Sequence, residues 1–245
     1  MARSRWLPDQ HGAWAMLTVP FLAGTFLAPH PGPAHAVLLA AWSAGYVALF
    51  HGQQWLRLRL RRASRRPAAA RCHVRPGLVF AAVFLVLGIP LAVRHPWLLL
   101  AAAACGPFVA VNTLYARVNR ERALPNGLAA VVPACGMLPV AGRLGGAGLP
   151  WAPAAACLLY FWGTVPYVKT MIRERRSAGY RRASAAYHAV AIVAATLLSP
   201  WLALPFAGYL ARAVALPGRG VKVPVVGAVE IAGSAALLLT LLLVF

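Results

Sequence analysis

Stretches of mostly apolar residues recur along this chain, each near the roughly 20 residues that a helix needs to cross a bilayer. They fall at about 11–28, 34–52, 76–93, 96–115, 123–141, 150–170, 183–199, 201–215 and 224–244, the eighth being short. Pro96 and Pro150 open two of them and Pro200 precedes another, positions where a missing N–H costs a helix little. Gly/Pro clusters such as His30-Pro31-Gly32-Pro33 and Leu216-Pro217-Gly218 punctuate the rest as turns. Composition points the same way. A soluble domain is about 45–50% apolar and about 25% charged; here the fractions are 61% and 11%, with a mean hydropathy of +0.68. The expected fold is an all-α polytopic membrane bundle of about nine transmembrane helices forming one integral membrane domain over 1–245.

The 24 Lys+Arg against 4 Asp+Glu, with a pI of 11.6, invite a nucleic-acid reading. Position argues against it, because the arginines gather in short segments between apolar stretches. The N-terminus (Arg3, Arg5), the 53–75 loop (Arg57 to Arg75), the fourth-to-fifth loop (Arg117, Arg120, Arg122), the sixth-to-seventh loop (Lys169 to Arg182) and the eighth-to-ninth loop (Arg212, Arg219, Lys222) all fall on one side. Only Arg94 and Arg143 fall on the other. The positive-inside rule makes the rich side cytoplasmic, with the N-terminus in and the C-terminus out. The expected location is the bacterial cytoplasmic (inner) membrane, and the expected partners are membrane lipids with anionic head groups rather than nucleic acid.

Arg3, Arg5, the apolar run from Ala13 to Ala28 and Ala34-His35-Ala36 imitate a secretory signal with its cleavage site. Asp9-Gln10-His11 at its entry, Trp14 and Pro20 within it and a further span directly after it favour an uncleaved first helix. Cys72, Cys105, Cys135 and Cys157 have no ligand or redox spacing.

Polar side chains at span ends collect on the basic side. Gln10 and His11, with Trp14, enter the first span; His51 and Gln54 close the second, followed by Arg57. Asn112 and Tyr115 end the fourth, and Asn126 opens the fifth. Tyr167 and Lys169 end the sixth, Arg173 and Glu174 follow, and His188 lies early in the seventh. This is the expected region for an anionic ligand head group. Glu230 is an intramembrane carboxylate, which wants a cation or a proton as partner, and a loop Arg is the simplest candidate. The histidines fit no metal or haem spacing, and no cofactor is expected.

Pro8-Asp9-Gln10-His11-Gly12-Ala13-Trp14-Ala15-Met16 resembles the signature of the YwiC-like bacterial membrane proteins, as does Tyr167-Val168-Lys169-Thr170-Met171-Ile172-Arg173-Glu174-Arg175 followed by Tyr187-His188. A more distant likeness is to UbiA-type intramembrane prenyltransferases, especially the haem O synthase branch. The run from Tyr115 through Arg120-Glu121-Arg122 to Asn126, Gly136-Met137-Leu138-Pro139, and Phe161 through Tyr167 are similar to segments of that branch. The resemblance implies nine helices and active-site motifs in the second-to-third and sixth-to-seventh loops. Those enzymes hold Mg²⁺ with Asp-rich motifs. Here the first place reads His51-Gly52-Gln53-Gln54-Trp55-Leu56-Arg57 and the second offers Glu174 alone. Asp9, Glu121, Glu174 and Glu230 are too few and too scattered for two Mg²⁺ sites.

The leading expectation is therefore a UbiA-like helical scaffold that binds an amphipathic, lipid-like ligand (isoprenoid, quinone or haem-related) with its anionic head at the cytoplasmic face. A prenyl-transfer enzyme lacking the Asp motifs, a small-solute or proton-coupled transporter using Glu230 and His188, and a purely structural role are the alternatives.

Overall fold

The computed structural model describes residues 6–8, 11–60 and 67–245, without the side chains of 11, 67 and 68. Those residues form helices α1 (His11–Phe26), α2 (Pro33–Leu60), α3 (Pro67–Arg71), α4 (Val74–Arg94), α5 (Trp97–Arg117), α6 (Leu124–Leu144), α7 (Trp151–Ile172), α8 (Ala178–Leu198), α9 (Ala203–Ala215) and α10 (Val223–Val244). A one-turn 3-10 helix, Pro200–Leu202, leads into α9. No strand occurs among the described residues.

Nine of these helices coincide with the nine apolar stretches. Five stretches are long and apolar enough to cross a membrane: Pro33–Leu60, Ala69–Arg94, Trp97–Arg117, Leu124–Leu144 and Val223–Val244. Gly12–Phe26 is apolar but shorter. The remaining helices fall outside that set for readable reasons. Helix α8 carries Tyr180-Arg181-Arg182 in its first turns, α7 mixes Trp, Tyr, Pro and Lys into its apolar run, and α9 has only 13 residues. At 1.5 Å per residue α9 is about 20 Å long, short of a hydrocarbon core of about 30 Å.

Four places differ from the sequence reading, and the first is α8, which begins at Ala178 rather than at 183 and so carries Arg181 and Arg182 on its opening turns. Helix α2 continues eight residues past the expected end at 52, so Arg57 and Arg59 stand on its last turn rather than in a loop. The segment read as loop contains α3. Arg212, counted with a basic loop, is a buried residue of α9. Each follows from Arg being a good helix former as well as a topology signal.

The chain folds into two compact units. The first comprises 1–10 and 31–133, and the second 11–30 and 134–245, so α6 runs from one into the other. In the first unit α2 packs along α4 and against α5. A Cβ on Gly45 of α2 would lie 3.0 Å from the Phe84 ring of α4, a measure of how closely these two helices approach. Leu78, Leu85, Val86 and Val93 of α4 and Leu99 and Leu100 of α5 are exposed, the pattern of helices whose solvent is hydrocarbon.

In the second unit α1 packs on α10 and α7, α7 on α8 and α10, and α8 on α9. Phe21, Leu138, Tyr160, Leu202, Phe206, Leu237 and Leu241 fill its core. Polar side chains in both units mostly bond back one turn: Thr25 to Phe21 O at 2.9 Å, Asn112 to Phe108 O at 2.8 Å and Thr196 to Ile192 O at 2.8 Å. That local satisfaction is what an apolar solvent demands.

Candidate functional site

The second unit holds a buried charge. Arg212, in the last turn of α9, ion-pairs through Nη1 with Oε1 of Glu230 on α10, and both side chains are less than a tenth exposed. Three tyrosine rings enclose the guanidinium, with their centroids 5.3 Å (Tyr160), 4.7 Å (Tyr167) and 5.1 Å (Tyr209) from its central carbon. Tyr160 and Tyr167 are seven apart on α7, and Tyr209 is three before Arg212 on α9, so helical spacing places each pair on one face.

The cage is held by hydrogen bonds to backbone. Tyr209 OH donates to Gly233 O at 2.9 Å, and Ser234 Oγ donates to Glu230 O at 2.7 Å. Tyr160 OH lies 3.2 Å from both Glu230 O and Ser234 Oγ. Gly233 makes room: a Cβ there would sit 2.8 Å from Tyr160 OH and 3.1 Å from Arg212 Nη1. Ring faces and the Glu230 carboxylate together offset part of the desolvation of the guanidinium.

One edge of the guanidinium is left over. Arg212 Nε and Nη2 are buried and have no hydrogen-bond partner among the described residues, and the same holds for the Tyr167 hydroxyl. An arginine Nε/Nη2 edge is a two-pronged donor shaped for two oxygens of a carboxylate or phosphate. Above the cage the ends of α7, α8, α9 and α10 are joined by turns at 173–177 and 216–222. Arg173, Arg175, Arg176, Arg219 and Lys222 stand exposed there. Arg175 ties the turns together, with Nε donating to Met171 O and Nη2 donating to Val221 O at 3.5 Å.

His188 is buried on α8, where its Nδ1–H donates to Ser184 O at 2.7 Å. Its Nε2 faces Gly163 of α7, where a Cβ would come within 3.0 Å. Neighbouring Tyr187 donates its hydroxyl to Leu159 O at 2.9 Å. Both residues therefore fasten α8 to α7.

The first unit has its own polar cluster. His51 Nε2 lies 3.0 Å from Trp6 O, so this nitrogen is the donor. His51 Nδ1 lies 2.9 Å from His73 Nδ1, one ring donating and the other accepting. Arg57 and Glu121 approach to 2.9 Å, each about a quarter exposed, an ion pair by distance without the angles of a hydrogen bond. Asn126 donates to Glu121 O at 2.7 Å.

The expected head-group residues thus divide between the units. His51, Gln54, Arg57, Asn112, Tyr115 and Asn126 belong to the first; Trp14, Tyr167, Lys169, Arg173, Glu174, His188 and Glu230 belong to the second. Gln10 and the side chain of His11 lie outside the described residues. Tyr167 and Glu230 meet at Arg212, whereas Asn112 is occupied with its own helix backbone. Arg212, Tyr160, Tyr209 and His73 were not among the expected residues. The i, i+7 and i, i+3 spacings around Glu230's need for a cation were the available signal. Among the described residues no three His, Cys, Asp or Glu side chains come together as a metal site.

A chain that is helical throughout its regular described structure, with five helices long and apolar enough to cross a membrane, has the character of a membrane protein. Over residues 7–142 it matches the YwiC-like protein family, and the chain belongs to that family. It is similar to an uncharacterised protein of Haemophilus influenzae, 30% identical over 247 residues that cover 96% of this chain and 97% of the other. It is also similar to the uncharacterised protein YwiC of Bacillus subtilis, 30% identical over 232 residues covering 92% of each. No solved structure matches.

Proposed function

We propose that this chain is a multi-pass protein of the bacterial inner membrane, N-terminus in the cytoplasm and C-terminus outside, which binds an amphipathic lipid-like ligand by its anionic head group at the cytoplasmic face. The observation that carries the reading is the unpartnered Nε/Nη2 edge of Arg212, buried beneath turns rich in arginine. A permanently charged two-pronged donor with no acceptor among the described residues is a costly thing to bury unless an acceptor arrives. The basic turns concentrate anions at the entrance. An isoprenoid, quinone-related or haem-related tail suits the apolar helix faces. Arg59, stacked 5.6 Å from the Trp55 ring at the end of α2, suits contact with anionic lipid head groups.

A UbiA-like arrangement is consistent with nine helices of 13 residues or more among those described. Mg²⁺-dependent prenyl transfer finds no support in the acids, since Glu121 pairs with Arg57 and Glu230 with Arg212.

Mass spectrometry of the small molecules retained by the protein after mild detergent purification tests the reading. A defined anionic amphipath, enriched over bulk lipid and lost from Tyr167→Phe and from the neutral double variant Arg212→Gln/Glu230→Gln, is the expected result. Bulk membrane composition in all three preparations would sink it.

A further inference from the structure

We infer that anion binding at the tyrosine cage is linked to uptake of one proton by Glu230. This rests on the head-group reading above and adds a regulation to it.

The charge balance of the buried site carries the argument. The Arg212 and Glu230 pair is neutral as it stands, joined through Nη1 alone. A carboxylate, sulfonate or phosphate entering on the Nε/Nη2 edge would bring two anions to one guanidinium. The surplus negative charge would sit in a medium of low polarity, where an unpaired charge is strongly disfavoured.

Among the described residues the groups facing Glu230 offer no second cation. Tyr160 and Tyr167 come from α7, Tyr209 and Arg212 from α9, and Ser234 from its own helix. Helix α1, packed along α10, has no titratable side chain from Gly12 to Phe26. Helix α8 brings His188, whose Nδ1 is committed to Ser184 O and whose Nε2 faces Gly163.

The group that can restore neutrality without moving a helix is therefore the Glu230 carboxylate. The reaction balances as Arg212⁺·Glu230⁻ plus anion plus H⁺ giving Arg212⁺·anion plus Glu230–COOH, with no covalent bond changed besides the new O–H. Neutral head groups such as a quinone carbonyl could bind the same edge with no proton. The linkage therefore singles out anionic ligands as the class for which affinity rises as pH falls.

The test uses the full chain in non-ionic detergent with decanesulfonate, an amphipathic anion that stays ionised throughout the working pH range. Calorimetric titrations in buffers of different ionisation enthalpy count protons taken up per probe bound. The expected result is about one proton per sulfonate, with affinity falling about tenfold per pH unit where Glu230 is ionised. Glu230→Gln is expected to bind the probe with no proton uptake and no pH slope. Wild-type binding without proton uptake would overturn the linkage and leave the head-group reading standing. So would an unchanged pH slope in Glu230→Gln, or in Glu230→Leu should the glutamine variant fail to fold. Failure of the wild-type protein to bind any sulfonate would overturn both.

Discussion

At Gly233 a single methyl group decides whether the cage can close. A Cβ would meet Tyr160 OH at 2.8 Å and Arg212 Nη1 at 3.1 Å, both held in place by hydrogen bonds or an ion pair. Gly233→Ala is expected to lower stability by about 1–3 kcal/mol, as overpacking a fixed site does. Gly227→Ala, six residues earlier on the same helix with open space around it, is expected to be neutral or mildly stabilising. Thermal unfolding in detergent compares the two, and equal melting temperatures would contradict the packing account.

The ion pair calls for its own comparison. Arg212→Gln leaves a buried carboxylate without a cation and should cost about 3–5 kcal/mol. Arg212→Gln/Glu230→Gln removes both charges and should recover much of that loss. A double variant no more stable than the single would mean that the two residues do not depend on each other. Glu230 was legible as a residue in need of a partner, because a carboxylate in a long apolar run has few explanations. Arg212 was not. One cation three residues from a helix end reads as the start of a loop, and only the packing of α9 against α8 and α10 turns it inward.

Helices were the most legible level, and the approaches between them the least. The bounds of α4, α5, α6 and α10 follow from apolar runs flanked by Arg, Pro and Gly, whose effects are local. Where one helix touches another depends on small residues whose role no local pattern reveals. A Cβ on Gly24 of α1 would run into the backbone carbonyl of Leu138 on α6, whereas one on Gly45 would meet the Phe84 side chain at 3.0 Å. Backbone cannot rotate away and a ring can. Gly24→Ala is therefore expected to be much the more damaging of the pair, by several kcal/mol, and to lower the yield of monodisperse protein. Equal yields and melting temperatures for the two would place α1 and α6 farther apart than described.

The histidine pair works at the same level. The chain from Trp6 O through His51 to His73 ties the segment 6–8 to α2 and to the start of α4, with the Trp6 ring edge-on to Phe80 at 6.4 Å and Arg75 6.0 Å above it. The contact between the two Nδ1 atoms needs one neutral ring as acceptor, so it survives one proton and breaks when both rings are charged. Charging both rings would therefore release the segment 6–8 from α2. Acidification should shift Trp6 emission in a protein whose other tryptophans are replaced by Phe, and His73→Phe should abolish the shift. An identical pH response in that variant would rule out the pair as the cause.

For the whole molecule the governing pattern is charge against hydropathy, and the orientation it predicts is one that a native side chain can report. Cys72 is exposed in the turn between α3 and α4, flanked by Arg71 and Arg75, while Cys135 and Cys157 are buried and Cys105 is partly buried on apolar α5. Maleimide reacts with a thiolate in water, so Cys72 is the native site expected to be modified. If the basic segments face the cytoplasm, a membrane-impermeant maleimide added to right-side-out vesicles should leave the chain unmodified. Inside-out vesicles should take about one label per chain, and Cys72→Ser should remove it. A cysteine at Gly148, in the turn after α6 where a side chain meets no neighbour within 4 Å, should show the opposite sidedness. Labelling of Cys72 from outside would invert the topology. It would place the basic turns above Arg212 outside as well, and the tyrosine cage would then have to draw its anion from the external face.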